Sequence, residues 1–224
     1  MTAETVDPPD GGWGWVVVLA SFIGFFMVGG ISNSFAVVYV AFLDAFRESK
    51  AVTAWVHGIF NIVFVLSTSY GIALAKRFGH RRTVMAAGAL TSLGILTSGF
   101  TTHIYQLYFT YGVLTGLGLG LACVTCIEIV SMYFRKRFTP AIGLAMAGTG
   151  GGQFVLSIVT QLMVDLYGWR GMLLIMSAIG SHLCVAGALM RPLKPIRKPE
   201  KDKSAAMDVQ SLGNNRGSKQ GLQN

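Results

Sequence analysis

The dominant feature of this sequence is a succession of apolar runs too long for a soluble fold. A bilayer core about 30 Å thick needs roughly 20 apolar residues in a helix. Six such stretches are legible, at Trp15–Phe42, Val52–Ala75, Thr83–Phe100, Tyr105–Tyr133, Pro140–Leu166 and Gly171–Met190. They are continuously apolar rather than alternating, so they read as helices and not as barrel strands. Charged residues make up 12% of the chain and hydrophobic residues 52%, whereas a soluble domain carries about 25% charged residues. The expectation is an all-α membrane protein with six transmembrane helices. A short segment, residues 1–12, precedes the bundle at 13–190, and a basic, Pro- and Lys-rich tail at 191–224 follows it with no fold of its own.

The net charge of +8 does not indicate nucleic-acid binding, because the cations sit in short clusters between apolar runs. Of 18 Lys and Arg residues, three (Arg47, Lys50 and Arg170) fall in one alternating set of loops and the remaining 15 in the other. The positive-inside rule places the 15 in the cytoplasm, and with them both termini. Met1 to Asp10 carries Glu4, Asp7 and Asp10 and no Lys or Arg, unlike a signal peptide, so the first run reads as a retained span. Trp13, Trp15, Trp55 and Trp169 lie at expected helix ends, where indoles anchor at the headgroups. Thr139 before Pro140 reads as an N-cap with proline at the first helical position.

Nothing in the sequence points to enzyme chemistry. It offers no Ser/His/Asp set, phosphate loop, carboxylate pair or metal cluster at workable spacing. Cys123 and Cys126 have a CxxC spacing without a second pair or a His, and with Cys184 they read as packing residues. No cofactor is expected.

Polar groups inside spans are costly unless they face a bundle interior or a cavity, so they are the pointers to a site. Span 1 carries Ser32, Asn33 and Ser34. Span 2 carries His57, Asn61 and Thr68 on one face, and span 5 carries Thr149, Gln153, Ser157 and Gln161 at four-residue spacing. We expect Asn33, Ser34, His57, Asn61, Thr149 and Gln153 to line a shared substrate cavity, with interhelical hydrogen bonding as the competing role. Glu128 lies well inside span 4, roughly 10 Å from the cytoplasmic surface at 1.5 Å per residue. It is a candidate proton or cation relay, or a carboxylate held near the interface by Arg135 or Arg137. Gly112, Gly116 and Gly120 in span 4, with Gly143, Gly148, Gly151 and Gly152 in span 5, allow close backbone approach. Two glycine-lined helices side by side suit a bundle that rocks or slides.

Two stretches carry a family resemblance. Asp10-Gly11-Gly12-Trp13-Gly14-Trp15 opens span 1. Tyr133-Phe134-Arg135-Lys136-Arg137-Phe138-Thr139-Pro140-Ala141-Ile142-Gly143-Leu144-Ala145-Met146-Ala147-Gly148 leads into span 5. Both resemble the signature segments of the monocarboxylate transporter family, within the major facilitator superfamily. The resemblance implies the N-terminal six-helix half of that fold. The implied activity is secondary active transport of small organic anions, such as monocarboxylates or related metabolites, across the plasma membrane. It also implies a single-span immunoglobulin-type chaperone as partner. Lactate-type members carry Lys where this chain has Asn33 and Pro where it has Ser32, so lactate–proton symport is not carried over residue by residue. The competing reading is a non-transporting short form that associates with a full-length carrier or an accessory subunit.

The topology is testable with single engineered cysteines in intact cells. A membrane-impermeant thiol reagent added outside should leave cysteines at Lys136 and Ser204 unmodified. Labelling at either position overturns the assignment of sides.

Overall fold

The computed structural model describes residues 12–135 and 137–190. Asp10, Gly11 and Lys136, with the segment before residue 12 and the tail from 191, lie outside the described residues. Every regular element among those described is helical: α1 Gly14–Asn33, α2 Phe35–Phe46, α3 Lys50–Phe78, α4 His80–Ser98, α5 Ile104–Leu107, a π-helical turn at Tyr108–Thr115, α6 Gly116–Tyr133, α7 Phe138–Gly180 and α8 His182–Leu189.

These elements merge into longer runs. Ser34 stays in the right-handed helical region and its N–H bonds the Gly30 carbonyl at 2.9 Å, so α1 passes into α2 without a break. Stretches long and apolar enough to cross a bilayer are found at Gly14–Phe46, Lys50–Phe78, Ile104–Tyr133 and Phe138–Leu189. The last spans 52 residues, about 78 Å of helix at 1.5 Å per residue, far more than one crossing requires. Its interruption is Gly168, at φ 69° and ψ 175°, a conformation that side-chain-bearing residues avoid.

The structure alters several sequence expectations. The turn after the fifth stretch is a single glycine rather than a loop, and Trp169 beside it stays packed on Phe42 and Phe46, at ring distances of 6.0 and 5.3 Å. Thr139 is not an N-cap: α7 begins at Phe138 with Arg137 in the capping position and no side-chain cap bond. The π-helical turn at Tyr108–Thr115 has no periodicity signal in the sequence.

Glycine decides which helices approach. α1 lies against α7 backbone to backbone. A Cβ on Gly29 would sit 2.7 Å from the Thr149 carbonyl oxygen, one on Gly30 2.9 Å from that of Gly152, and one on Gly152 would overlap the Phe26 carbonyl. The α6 side of the fourth stretch closes on α3 in the same manner, with Gly116 against the Phe60 carbonyl and Gly120 against that of Phe64. The two glycine faces therefore do not oppose each other; each serves a different neighbour. In α7 the working glycines are Gly148 and Gly152, while Gly143 and Gly150 have nothing within 4 Å.

Most buried hydroxyls bond within their own helices, Ser21 and Ser34 being exceptions. Thr91 donates to the Ala87 carbonyl at 2.9 Å, Ser98 to Gly94 at 2.7 Å, Thr125 to Leu121 at 2.7 Å and Thr160 to Leu156 at 2.6 Å. This is the arrangement an apolar solvent demands, since unbonded polar groups there cost several kcal/mol, about 2–7 by transfer. Much of the outer surface is apolar, including Trp55, Ile62, Val65, Leu66, Tyr70 and Phe154.

The glycine contacts separate two substitutions. Gly152→Val should lower the thermal unfolding midpoint in detergent, at an overpacking cost of about 1–3 kcal/mol. Gly150→Ala, facing open space, should leave the midpoint unchanged or raise it. The reverse order would contradict the close approach of α1 and α7.

Candidate functional site

The candidate residues gather around α1. On one side, Gly29 allows α7 to bring Thr149 into contact with it. On the other, Phe35 stacks on His57 of α3 at 4.4 Å between ring centroids and 13° between planes. Asn33 sits between these contacts and is exposed. Its amide donates to the Gly29 carbonyl at 2.8 Å, one turn back. Asn61 does the same to the His57 carbonyl at 3.0 Å. Both amides thus bond within their own helices rather than to each other, and both residues are exposed, as is Gln153. Further along, Gln161 bonds Asp165 at 3.1 Å.

His57 lies near parallel to two phenyl rings. Besides Phe35, Phe60, three residues on, stacks with it at 5.6 Å and 10°. Tyr111 closes the cluster, 5.6 Å from Phe35 and 6.1 Å from Phe60. His57 Nδ1 is buried without a hydrogen-bond partner. Ser34 is 1% exposed and its Oγ is likewise unpartnered. It borders a small apolar void with Ile31, Ile95, Tyr111 and Met176, so Ser34 faces the interior of this bundle, whereas Asn33 and Gln153 are exposed.

Sequence reasoning missed the aromatic members. Phe60 follows His57 at i+3 and was legible as a neighbour on one helix face. Tyr111 was not, because the π-helical turn resets the helical register ahead of it. Such turns often mark functional positions.

Glu128 lies apart from this group. Its side chain is 15% exposed, with His80 Nε2 at 3.3 Å and the exposed Lys76 Nζ at 3.9 Å. Neither Glu128 Oε2 nor His80 Nε2 has a hydrogen-bond partner, so their contact is electrostatic without directional alignment. The pair joins α6 to the α3–α4 junction, where Gly79 at φ 90° makes the turn. The sequence reading anticipated Arg135 or Arg137 beside Glu128 and did not identify Lys76 and His80.

The two signature segments meet in space. Trp15 lies edge-on to Phe134 at 5.4 Å, and the position of a Cβ on Gly14 falls 3.0 Å from the Phe134 ring. Tyr133 is buried, Gly148 abuts the Phe22 carbonyl, and Gly12 forms the positive-φ turn before Trp13. These residues fasten the start of α1 to the α6–α7 junction; Arg137 is exposed there.

Comparison with known proteins fits this architecture. The Major Facilitator Superfamily profile matches residues 17–219, and the chain belongs to that superfamily. Within it, the chain is monocarboxylate-transporter-like. It is 40% identical to monocarboxylate transporter 13 of Bos taurus over 197 residues, covering 88% of this chain and 46% of the relative. Identity to monocarboxylate transporter 12 of Homo sapiens is 39% over 191 residues, 85% of this chain and 37% of the relative. Monocarboxylate transporter 9 of Gallus gallus is 37% identical over 202 residues, 90% and 40%. The chain thus spans less than half the length of these curated relatives. It is a helical, multi-pass membrane protein of a transporter family.

The Glu128 contacts predict unequal effects on stability. Glu128→Ala removes the carboxylate that faces both the half-buried His80 and Lys76, and should cost more than loss of the lysine alone. Lys76→Ala removes an exposed, long contact and should cost no more than about 1 kcal/mol. Thermal unfolding of the purified chain in detergent checks the order, and equal losses would contradict it.

Proposed function

We propose that this chain is a six-span bundle of a secondary transporter for small organic anions, contributing one wall of the substrate path. Gly168 divides the stretch Phe138–Leu189 into two crossings, and α4 supplies a further one, which brings the four long runs to six. The observation that carries the reading is the exposed polar strip on otherwise apolar helices, with Asn33, Asn61 and Gln153 turned outward beside the His57 stack. Exposed amides on a surface of Trp, Ile, Val and Leu are out of place against hydrocarbon. They suit a water-lined path at the midplane between two bundles, as in transporters built from repeats.

In this reading Asn33, Ser34, His57, Asn61, Thr149 and Gln153 form the substrate-facing group. Ser34 contributes through the packing beneath Tyr111 rather than from the open face. Alternating access is the rocking of this bundle against an opposing one, with the rigid α1–α7 contact moving as a unit. Both termini lie in the cytoplasm and the membrane is the plasma membrane, with a single-span immunoglobulin-type chaperone as a fitting partner. Glu128, with Lys76 and His80, then lies near the cytoplasmic surface, where it ties helices together rather than relaying protons through the core.

The geometry predicts that the 224-residue chain does not transport alone, because its polar strip lacks an opposing wall. Vesicles containing only the purified chain should show no saturable uptake of labelled lactate, pyruvate, carnitine or creatine above empty vesicles. Fusion to the second six-helix portion of a full-length relative should restore uptake. Saturable uptake by the chain alone, lost on Asn33→Leu, would contradict the need for a second bundle. A fusion that reaches the membrane and takes up none of these compounds would contradict the transport reading.

A further inference from the structure

The last apolar stretch carries a polar pair on its outer face. From Gly171 to Met190 the sequence contains no Asp, Glu, Lys, Arg, Asn or Gln, and its one imidazole is His182. One side of α8 is closed against the bundle. A Cβ on Gly187 would sit 2.9 Å from the Met85 backbone nitrogen of α4, and one on Gly88 of α4 would sit 2.7 Å from that of Cys184. The other side is open. Ala178, Ser181, His182, Val185 and Leu189 are all exposed, and their positions follow the helical repeat as one stripe. His182 is 11 residues beyond Gly171 and eight before Met190, about 16 and 12 Å along the helix at 1.5 Å per residue. That is mid-depth in a bilayer, where an outer face meets no water.

The geometry of the pair defines what it lacks. His182 Nδ1 lies 3.1 Å from the Ile179 carbonyl oxygen. A carbonyl only accepts, so Nδ1 carries the hydrogen and donates it, and Nε2 of the uncharged ring is an acceptor. No donor among the described residues reaches it. Beside it, the Ser181 hydroxyl donates to the Ala178 carbonyl at 2.6 Å. That carbonyl also accepts the Ser181 N–H at 3.2 Å, so it keeps a bond when the hydroxyl turns outward. The face therefore presents an acceptor without a donor and, one residue away, a donor able to change partner. Hydrocarbon serves neither, and polar groups turned to it are costly.

We propose that this face of α8 docks a second copy of the chain, with Ser181 of each copy donating to His182 Nε2 of the other. A two-fold contact is reciprocal, so whatever residue 181 gives, residue 182 receives in return. An adjacent donor and acceptor are self-complementary under that symmetry, and both hydrogen bonds form without burying a charge. Ala178 and Val185, about one turn to either side, are compact enough for two helices to approach. The polar strip lies on α1, α3 and the part of α7 before Gly168, so pairing through α8 leaves it free for an opposing bundle. The inference goes beyond the transport reading and requires only that the segment after Gly168 crosses the bilayer.

The test uses the full chain in lipid vesicles at low density. Stepwise photobleaching of chains carrying one fluorophore each counts the copies, and two steps should predominate. In a chain whose native cysteines are replaced, oxidation should cross-link a single cysteine at Val185 and leave one at Leu66 of α3 uncross-linked. His182→Leu and Ser181→Ala each remove both reciprocal bonds and should weaken association roughly tenfold. Both side chains point away from the bundle, so these variants should remain folded. His182→Gln, whose amide keeps an acceptor, should retain association. Single-step bleaching of the native chain overturns the proposal, as does pairing that survives both His182→Leu and Ser181→Ala, or cross-linking at Val185 no faster than at Leu66. Rapid reaction of the Val185 cysteine with a hydrophilic thiol reagent would place this face in water and overturn it as well. The transport reading is overturned separately, by failure of the fused transporter to take up any labelled solute.

Discussion

The contact between α1 and α7 organises the rest of the molecule. In an apolar solvent there is no hydrophobic force between helices, so association depends on close packing. Gly29, Gly30, Gly148 and Gly152 let the two backbones touch, carbonyl against glycine, over several turns. This contact fixes the rotation of α1. Phe35 lies toward α3, where His57 stacks on it, and Asn33 is exposed. The site is therefore a consequence of where a few side chains are missing.

A second fastening lies at the end of the bundle where α1 begins. Trp15 against Phe134, with Gly14 beneath the same ring, ties the start of α1 to the junction of α6 and α7. The family signatures are therefore structural anchors, distant from the polar strip. Glu128 with His80 and Lys76 ties α6 to the turn between α3 and α4. A bundle fastened in this way has the rigidity to move as one body, which rocking against a second bundle requires.

Much of this was legible in the sequence. Length and apolarity located the helices to within a few residues, because a bilayer imposes a minimum length that chance composition rarely meets. The polar candidates were legible because amides and imidazoles are few on these helices. Their partners were not. Whether Gly143 or Gly148 forms a contact depends on a neighbour's position, which periodicity in one helix does not encode. Tyr111 was hidden by the π-helical turn, and the Glu128 partners were hidden because Lys76 and His80 are distant in sequence and joined through the turn at Gly79. Ser34 reads as a neighbour of Asn33 but is buried while Asn33 is exposed, since adjacent helical residues are about 100° apart.

The central claim is that one face of α1, α3 and α7 is lined by water in the membrane, while the apolar surface beside it meets lipid. Single cysteines at Asn33, Asn61 and Gln153, and at Leu66 and Leu93 as apolar controls, can be placed in a chain whose three native cysteines are replaced. Reaction with a small hydrophilic thiol reagent, in membranes containing the fused transporter, reads water access directly. The account predicts rapid modification at the three polar positions and little at Leu66 and Leu93. Equal protection at all five positions, or faster reaction at the leucines, would contradict it.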